Sequence, residues 1–216
     1  MKLENNFHAP LFKQYRRLVC GMQREQGGYD MGGFYRLFAA IDFLPEDKEK
    51  LYRYGMTVKE NSIKGNFTHQ ENFHLTLAFI GETRKRTEAE EALKKGVVNS
   101  RVSPFVIETE KLGRFQNKGG DIFWVGIKES PELIKLYEEI TESLRIQGFS
   151  IEEQKLKAHL TIGRGVVLEK AASLEELSAL VPKLHLLVNK IHLMNSERIE
   201  GKLRYSSLME AALLVR

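Results

Sequence analysis

Two stretches of the chain alternate apolar and polar side chains with a period of two: Asn72-Phe73-His74-Leu75-Thr76-Leu77-Ala78-Phe79 and Lys157-Ala158-His159-Leu160-Thr161-Ile162-Gly163-Arg164. That period belongs to a strand with one face buried. It predicts that His74 and Thr76 share one face, with Phe73, Leu75, Leu77 and Phe79 lining the other. His159 and Thr161 are paired in the same way, with Ala158, Leu160 and Ile162 behind them. Each strand therefore carries a His-x-Thr pair on an apolar backing. Two imidazoles and two hydroxyls presented like this can face one anion.

Around these strands the apolar spacing and the helix start and stop signals predict the remaining elements. In the first half they are a strand at 34–42, a helix at 45–60, the motif strand at 72–80, a helix at 88–99 and a strand at 104–109. The second half reads as a strand at 121–128, a helix from Pro131 to Gln147 stopped by Gly148, and the motif strand at 156–163. A short helix at 174–180 ahead of Pro182 follows, then strands at 184–194 and 203–214. Compared with itself at an offset of about 86 residues, the chain brings several unrelated signals into register. Pro45 and Pro131 each follow an apolar strand and suit the first turn of a helix, where a missing N–H costs nothing. Thr87-x-x-Glu90 and Ser173-x-x-Glu176 read as two capping boxes. His74 and His159 keep the register to within one residue. The inferred unit is strand, helix, His-x-Thr strand, helix, strand, present twice.

Asn117 to Asp121 has turn chemistry and is too short for a free linker, so the halves are expected to pack as lobes of one domain. The expected domain is 33–216, with lobes of roughly 33–115 and 116–216, strand exchange between them allowed, and a pseudo-twofold bringing the motif strands face to face. Residues 1–32 lie outside the repeat and end in the Gly-rich stretch Gly27 to Gly33. A frayed end, a docked helix and a start-site artefact all fit this extension.

Composition narrows the function. A single cysteine, Cys20, argues against an internal disulfide framework and a thiolate metal site. No stretch approaches the ~20 apolar residues of a membrane span and no secretory leader is visible, so a cytoplasmic protein without a membrane partner is expected. The formal charge of +4 and a pI near 9.0 suit a polyanionic ligand without demanding one. Arg84, Lys85, Arg86, Lys155, Lys157 and Arg164 sit beside the motif strands, where such runs read either as a solvated face or as a phosphate-binding surface.

Histidine titrates near neutrality, so one copy can act as a base while another acts as an acid. Phosphoryl displacement needs an activated nucleophile, a protonated leaving group and donors on the non-bridging oxygens. Two imidazoles meet the first two needs, and Thr76 and Thr161 the third. No metal or other cofactor is required by this scheme, and neither motif carries a carboxylate beside its histidine. Arg164 points away by strict alternation, but a bulge at Gly163 would turn it inward, where its planar fork suits a phosphate. His8, His69, His185 and His192 read as structural residues. Phe34, Tyr35, Phe115 and Trp124 are candidates for stacking on nucleobases, against the commoner role of core aromatics.

On these residues the chain resembles the two-histidine phosphoesterase superfamily, specifically its RNA 2′,3′-cyclic phosphodiesterase branch, also called the 2′-5′ RNA ligase family. The resemblance runs from Phe34 to the C-terminus. Its carriers are Arg36 to Ile41, Glu71 to Leu77 with Phe79-Ile80-Gly81, Leu112 to Phe115, His159 to Arg164, and Ser196, Gly201 and Tyr205 near the end. It departs from the family text at Lys157-Ala158 and Ile162-Gly163, leaving the reacting side chains in place. The resemblance implies a bilobal α+β duplication, with two antiparallel sheets lining a central cleft and helices outside. It also implies metal-independent opening of RNA 2′,3′-cyclic phosphate ends to 2′-phosphates, with 2′-5′ joining of tRNA halves in some members. His74 would protonate the departing O3′ and His159 would activate water, while Thr76, Thr161 and Arg164 hold the phosphate oxygens. The expected partner is an RNA end, tRNA fragments included, met by a monomer. Rival readings are a phosphodiesterase for 2′-5′-linked or small cyclic nucleotides, and a module that binds RNA ends without turnover.

Overall fold

The computed structural model describes residues 34–215, so the N-terminal extension lies outside the described residues. Among the described residues nine strands and four α-helices follow one another: β1 (Tyr35–Asp42), α1 (Pro45–Glu60), β2 (Ser62–Phe67), β3 (His74–Thr83), α2 (Arg86–Ser100), β4 (Phe105–Phe115), β5 (Asp121–Ile127), α3 (Pro131–Ile146), β6 (His159–Leu168), α4 (Leu174–Ala179), β7 (His185–Val188), β8 (Lys190–Ile199) and β9 (Lys202–Ala212). A 3₁₀ turn, Gln70–Asn72, leads into β3. No described helix is long and apolar enough to cross a membrane.

The strands form two antiparallel sheets, ordered β3-β1-β8-β9 and β2-β6-β5-β4-β7. The duplication is visible in this order. β3 pairs with β1 as β6 pairs with β5. Each pair is extended by a strand from the other half of the chain, β8 beside β1 and β4 beside β5. The sheets therefore do not coincide with the sequence halves. One face of both sheets contributes to a single large core, in which Leu37, Ile41, Leu75, Leu77, Leu160 and Ile162 meet the buried sides of the helices. Helices α2 and α3 pack tightly on each other: a Cβ on Gly96 would lie 2.7 Å from the Ile140 Cα, so only glycine allows this approach. A second, small cluster of Phe38, Ala40 and Met194, with Phe79 and Tyr205 against it, occupies the other face of the first sheet.

Local signals explain most boundaries. Pro45 and Pro131 open α1 and α3, and Ser130 adds a side-chain cap by accepting from the Leu133 N–H. Ser173 caps α4 as its capping box predicts, accepting from the Glu176 N–H. The Thr87 box does not form. Helix α2 starts earlier, its N-cap Lys85 donates its backbone N–H to Thr83 Oγ1, and Glu90 is taken by Arg86 one turn before it, at 2.6 Å. Strand β2 was not predicted because Ser62-Ile63-Lys64-Gly65-Asn66-Phe67 lacks alternation; pairing with β6 creates it. β4 is longer than the predicted 104–109 because it serves two partners, β7 with its first residues and β5 with its last. The predicted strand at 184–194 is two strands in different sheets, separated at Asn189.

Candidate active site

The His-x-Thr residues stand at the start of β3 and β6, two strands of different sheets that come into contact. The same device orients both rings. His74 Nδ1 lies 2.8 Å from the Asn72 carbonyl oxygen, and His159 Nδ1 lies 2.6 Å from that of Lys157. A carbonyl only accepts, so Nδ1 carries the proton in each ring and Nε2 is left as the exchanging atom. His74 Nε2 sits 3.0 Å from Thr76 Oγ1, which donates to it while the ring is neutral. Thr161 is half-buried on β6, and its own carbonyl accepts from Thr68 Oγ1 at 2.8 Å.

Each imidazole is also walled by two aromatic rings. Around His74 these are Phe38 and Tyr205, both with centroids at 5.0 Å. Around His159 they are Phe115 at 5.4 Å and Trp124 at 6.0 Å. Phe38 and Trp124 hold equivalent places, on β1 and β5, ahead of the two helix prolines. The indole of Trp124 lies over Gly113, where any Cβ would collide with it. Sequence reading singled out Phe115 and Trp124 but not Phe38, whose apolar strand context gave it no distinguishing signal. Phe34 and Tyr35 are not brought to the site. They stand at the far end of β1, under Arg84 and Arg86, whereas His74 pairs with Asp42 at the near end. The Arg84-Lys85-Arg86 run is likewise at the far end of β3.

Both motif strands bulge at the same place. Adjacent residues Ala39 and Ala40 of β1 face Ala78 and Thr76, and adjacent Phe123 and Trp124 of β5 face Gly163 and Thr161. The extra residue makes Leu77-Ala78 and Ile162-Gly163 consecutive buried pairs and reverses the parity beyond them. Phe79 therefore does not line the core face with Leu75 and Leu77, as strict alternation predicts; it packs with Phe38 in the small cluster. Arg164 is its counterpart on β6, and its charge reaches both imidazoles.

Burial dominates the titration of both rings. It pushes His74 down to about 4, with Arg164 and Lys48 adding to the effect and the Asn72 carbonyl and Asp42 opposing it. His159 is lowered for the same first reason, opposed by the Lys157 carbonyl and assisted by Arg164 and Lys157. Beside His159 opens a cavity of about 1090 Å³ whose lining includes Phe115, Trp124, Tyr137, Lys155 and Lys157. Of the other described histidines, His192 stands across β1 from Thr76, both paired with Ala40. His185 is exposed near Glu108, His69 precedes the 3₁₀ turn, and His192 is buried on β8 with Nδ1 2.9 Å from Ser207 Oγ.

Known proteins resemble the chain in sequence and in fold. The chain is 35% identical over 132 residues to a Thermotoga maritima RNA 2′,3′-cyclic phosphodiesterase, covering 60% of this chain and 69% of that protein. An Archaeoglobus fulgidus protein of the same name is 37% identical over 134 residues, covering 60% and 72%. A crystal structure of a phosphoesterase superposes with a TM-score of 0.66 at 25% identity, over 83% of this chain and 98% of that one. E. coli LigT complexed with 3′-AMP shares the fold, with a TM-score of 0.65 at 24% identity over 83% and 98%. Residues 59–200 match the profile of the 2′-5′ RNA ligase superfamily, and the chain belongs to that family.

Proposed function

We propose that the protein hydrolyses RNA 2′,3′-cyclic phosphate ends to 2′-phosphates with His74 and His159 as a proton-transfer pair. The observation that supports this reading best is the matched pair of imidazoles. Each is locked through Nδ1–H on a carbonyl two residues back, and each leaves Nε2 for exchange. The relatives named RNA 2′,3′-cyclic phosphodiesterases supply the substrate class.

In this mechanism water attacks phosphorus as His159 Nε2 removes its proton. The P–O3′ bond breaks, and the proton on His74 Nε2 passes to the departing O3′, leaving the phosphate on O2′. The Thr76 and Thr161 hydroxyls and the Arg164 guanidinium hold the non-bridging oxygens, where charge accumulates in the transition state. Because burial holds His74 neutral in the free protein, its proton must be secured by the bound anion. A phosphodiester placed against the ring favours the imidazolium. A 5′-hydroxyl in place of water would give a 2′-5′ bond by the same steps, the joining reaction that the family name records.

The test is incubation in EDTA with a short RNA ending in a 2′,3′-cyclic phosphate, resolving 2′- from 3′-phosphate products. A 2′-phosphate end is expected, and a 5′-hydroxyl RNA added in excess tests joining. An untouched substrate would leave a module that binds RNA ends without turnover.

A further inference from the structure

Asp42 ends β1 directly opposite His74 in the β1–β3 ladder. Strand alternation places it on the face of Phe38 and Ala40, away from the core face of Leu37, Ala39 and Ile41. Lys48 of α1 holds this carboxylate, with Nζ 2.5 Å from Oδ1 and a side chain only 13% exposed. A lysine so covered needs a partner for its charge. The same ammonium donates to the Glu71 carbonyl at 3.2 Å. Glu71 lies in the 3₁₀ turn whose last residue, Asn72, provides the carbonyl that orients His74. Asn72 in turn donates its side-chain amide to the Leu203 carbonyl at 2.9 Å. One ion pair thus ties the end of β1, the start of α1 and the turn that holds the ring.

The second motif is held differently, its approach segment taking hydrogen bonds from Tyr137 to the Gln154 carbonyl and from Arg145 to the Ile151 carbonyl of the chain ahead of Lys157. The repeat puts Ile134 where the first half has Lys48, and the Lys157 carbonyl that holds His159 lies in the segment 151–158, which has no regular structure. Among the described residues, the Asp42–Lys48 ion pair has no counterpart beside His159.

We propose that Asp42 and Lys48 are positioning residues for His74: the carboxylate supports its imidazolium form, and the ammonium fixes both the carboxylate and the turn that orients the ring. The proposal rests on His74 acting as the acid. The other charge that reaches His74 is Arg164 of β6, while Asp42 also faces His192 of β8, which Glu210 of β9 and Lys190 influence as well. Removing the two partners should therefore act on His74 in opposite directions.

The experiment follows the His74 titration by NMR of isotopically labelled imidazoles in the full chain. Asp42→Asn is expected to lower its midpoint and Lys48→Met to raise it, while Lys48→Arg keeps the native value. Each unit by which the midpoint falls leaves about tenfold less imidazolium at pH 7, so kcat/KM on an RNA 2′,3′-cyclic phosphate end falls by that factor in Asp42→Asn. Midpoints that do not move, or that move the same way in both variants, overturn the proposal. If Asp42→Asn does not fold, Lys48→Met against Lys48→Arg still decides. The titration needs no substrate, so it is independent of whether the wild-type protein opens the RNA end, the result on which the reaction itself depends.

Discussion

At the scale of single residues, the chemistry depends on where two protons reside. Both imidazoles are held below the ordinary histidine value, so both are neutral at pH 7 in the free protein. The active form needs one protonated ring and one neutral ring. It is most populated between the two apparent pKa values of the pair, both below the ordinary ~6.5. The kcat/KM profile is therefore expected to be bell-shaped with its maximum on the acid side of neutrality. Bound phosphodiester raises both values, so the kcat profile should lie at higher pH. A kcat/KM that climbs steadily from neutral to alkaline pH would contradict this. His74→Ala and His159→Ala should each lower kcat/KM by about 10²–10⁴-fold, measured on folded protein. If either variant kept near-native turnover, the acid–base pair would be wrong.

At the scale of elements, strand irregularities aim the site. Regular alternation would send Arg164 to the core face with Leu160; the bulge at Ile162-Gly163 reverses that parity. Gly163 marked this possibility in the sequence. The matching bulge at Leu77-Ala78 carries no glycine and was not legible, because it depends on the register against β1. The wall beside His159 depends similarly on β4 and β5 together. A Cβ at Gly113 would lie 2.2 Å from the Trp124 ring, so Gly113→Ala must displace the indole. It is expected to cost about 1–3 kcal/mol in denaturant unfolding, as overpacking does. The emission of Trp124, the only tryptophan in the chain, should shift, and kcat/KM should fall. An unchanged spectrum would mean that the indole does not rest on Gly113.

At the scale of the whole molecule, the two halves are held together by exchanged strands. β4 leaves the first half to pair with β5, and β8 leaves the second to pair with β1. Cutting the chain in the 117–120 turn should give fragments that lack these partners and do not fold alone, since each would expose open strand edges and half of a shared core. Mixing the fragments should restore amide dispersion in NMR spectra and turnover. Two independently folded fragments would instead make the lobes separate domains.

The His-x-Thr duplication, the repeat length and most element positions are local properties, written in side-chain periodicity, prolines and caps. The sequence therefore determined that two equivalent strands each carry a histidine and a threonine on one face. Tertiary structure decided which strands become neighbours, and hence what surrounds those histidines. The β2 segment lacks alternation and forms a strand only because β6 offers it a ladder. Tyr205 reaches His74 because the β8–β9 hairpin folds back towards β3, and Asp42 faces it because of the β1–β3 register. Pairing partners and bulges are set by contacts between residues far apart in the chain, and local periodicity carries no record of them.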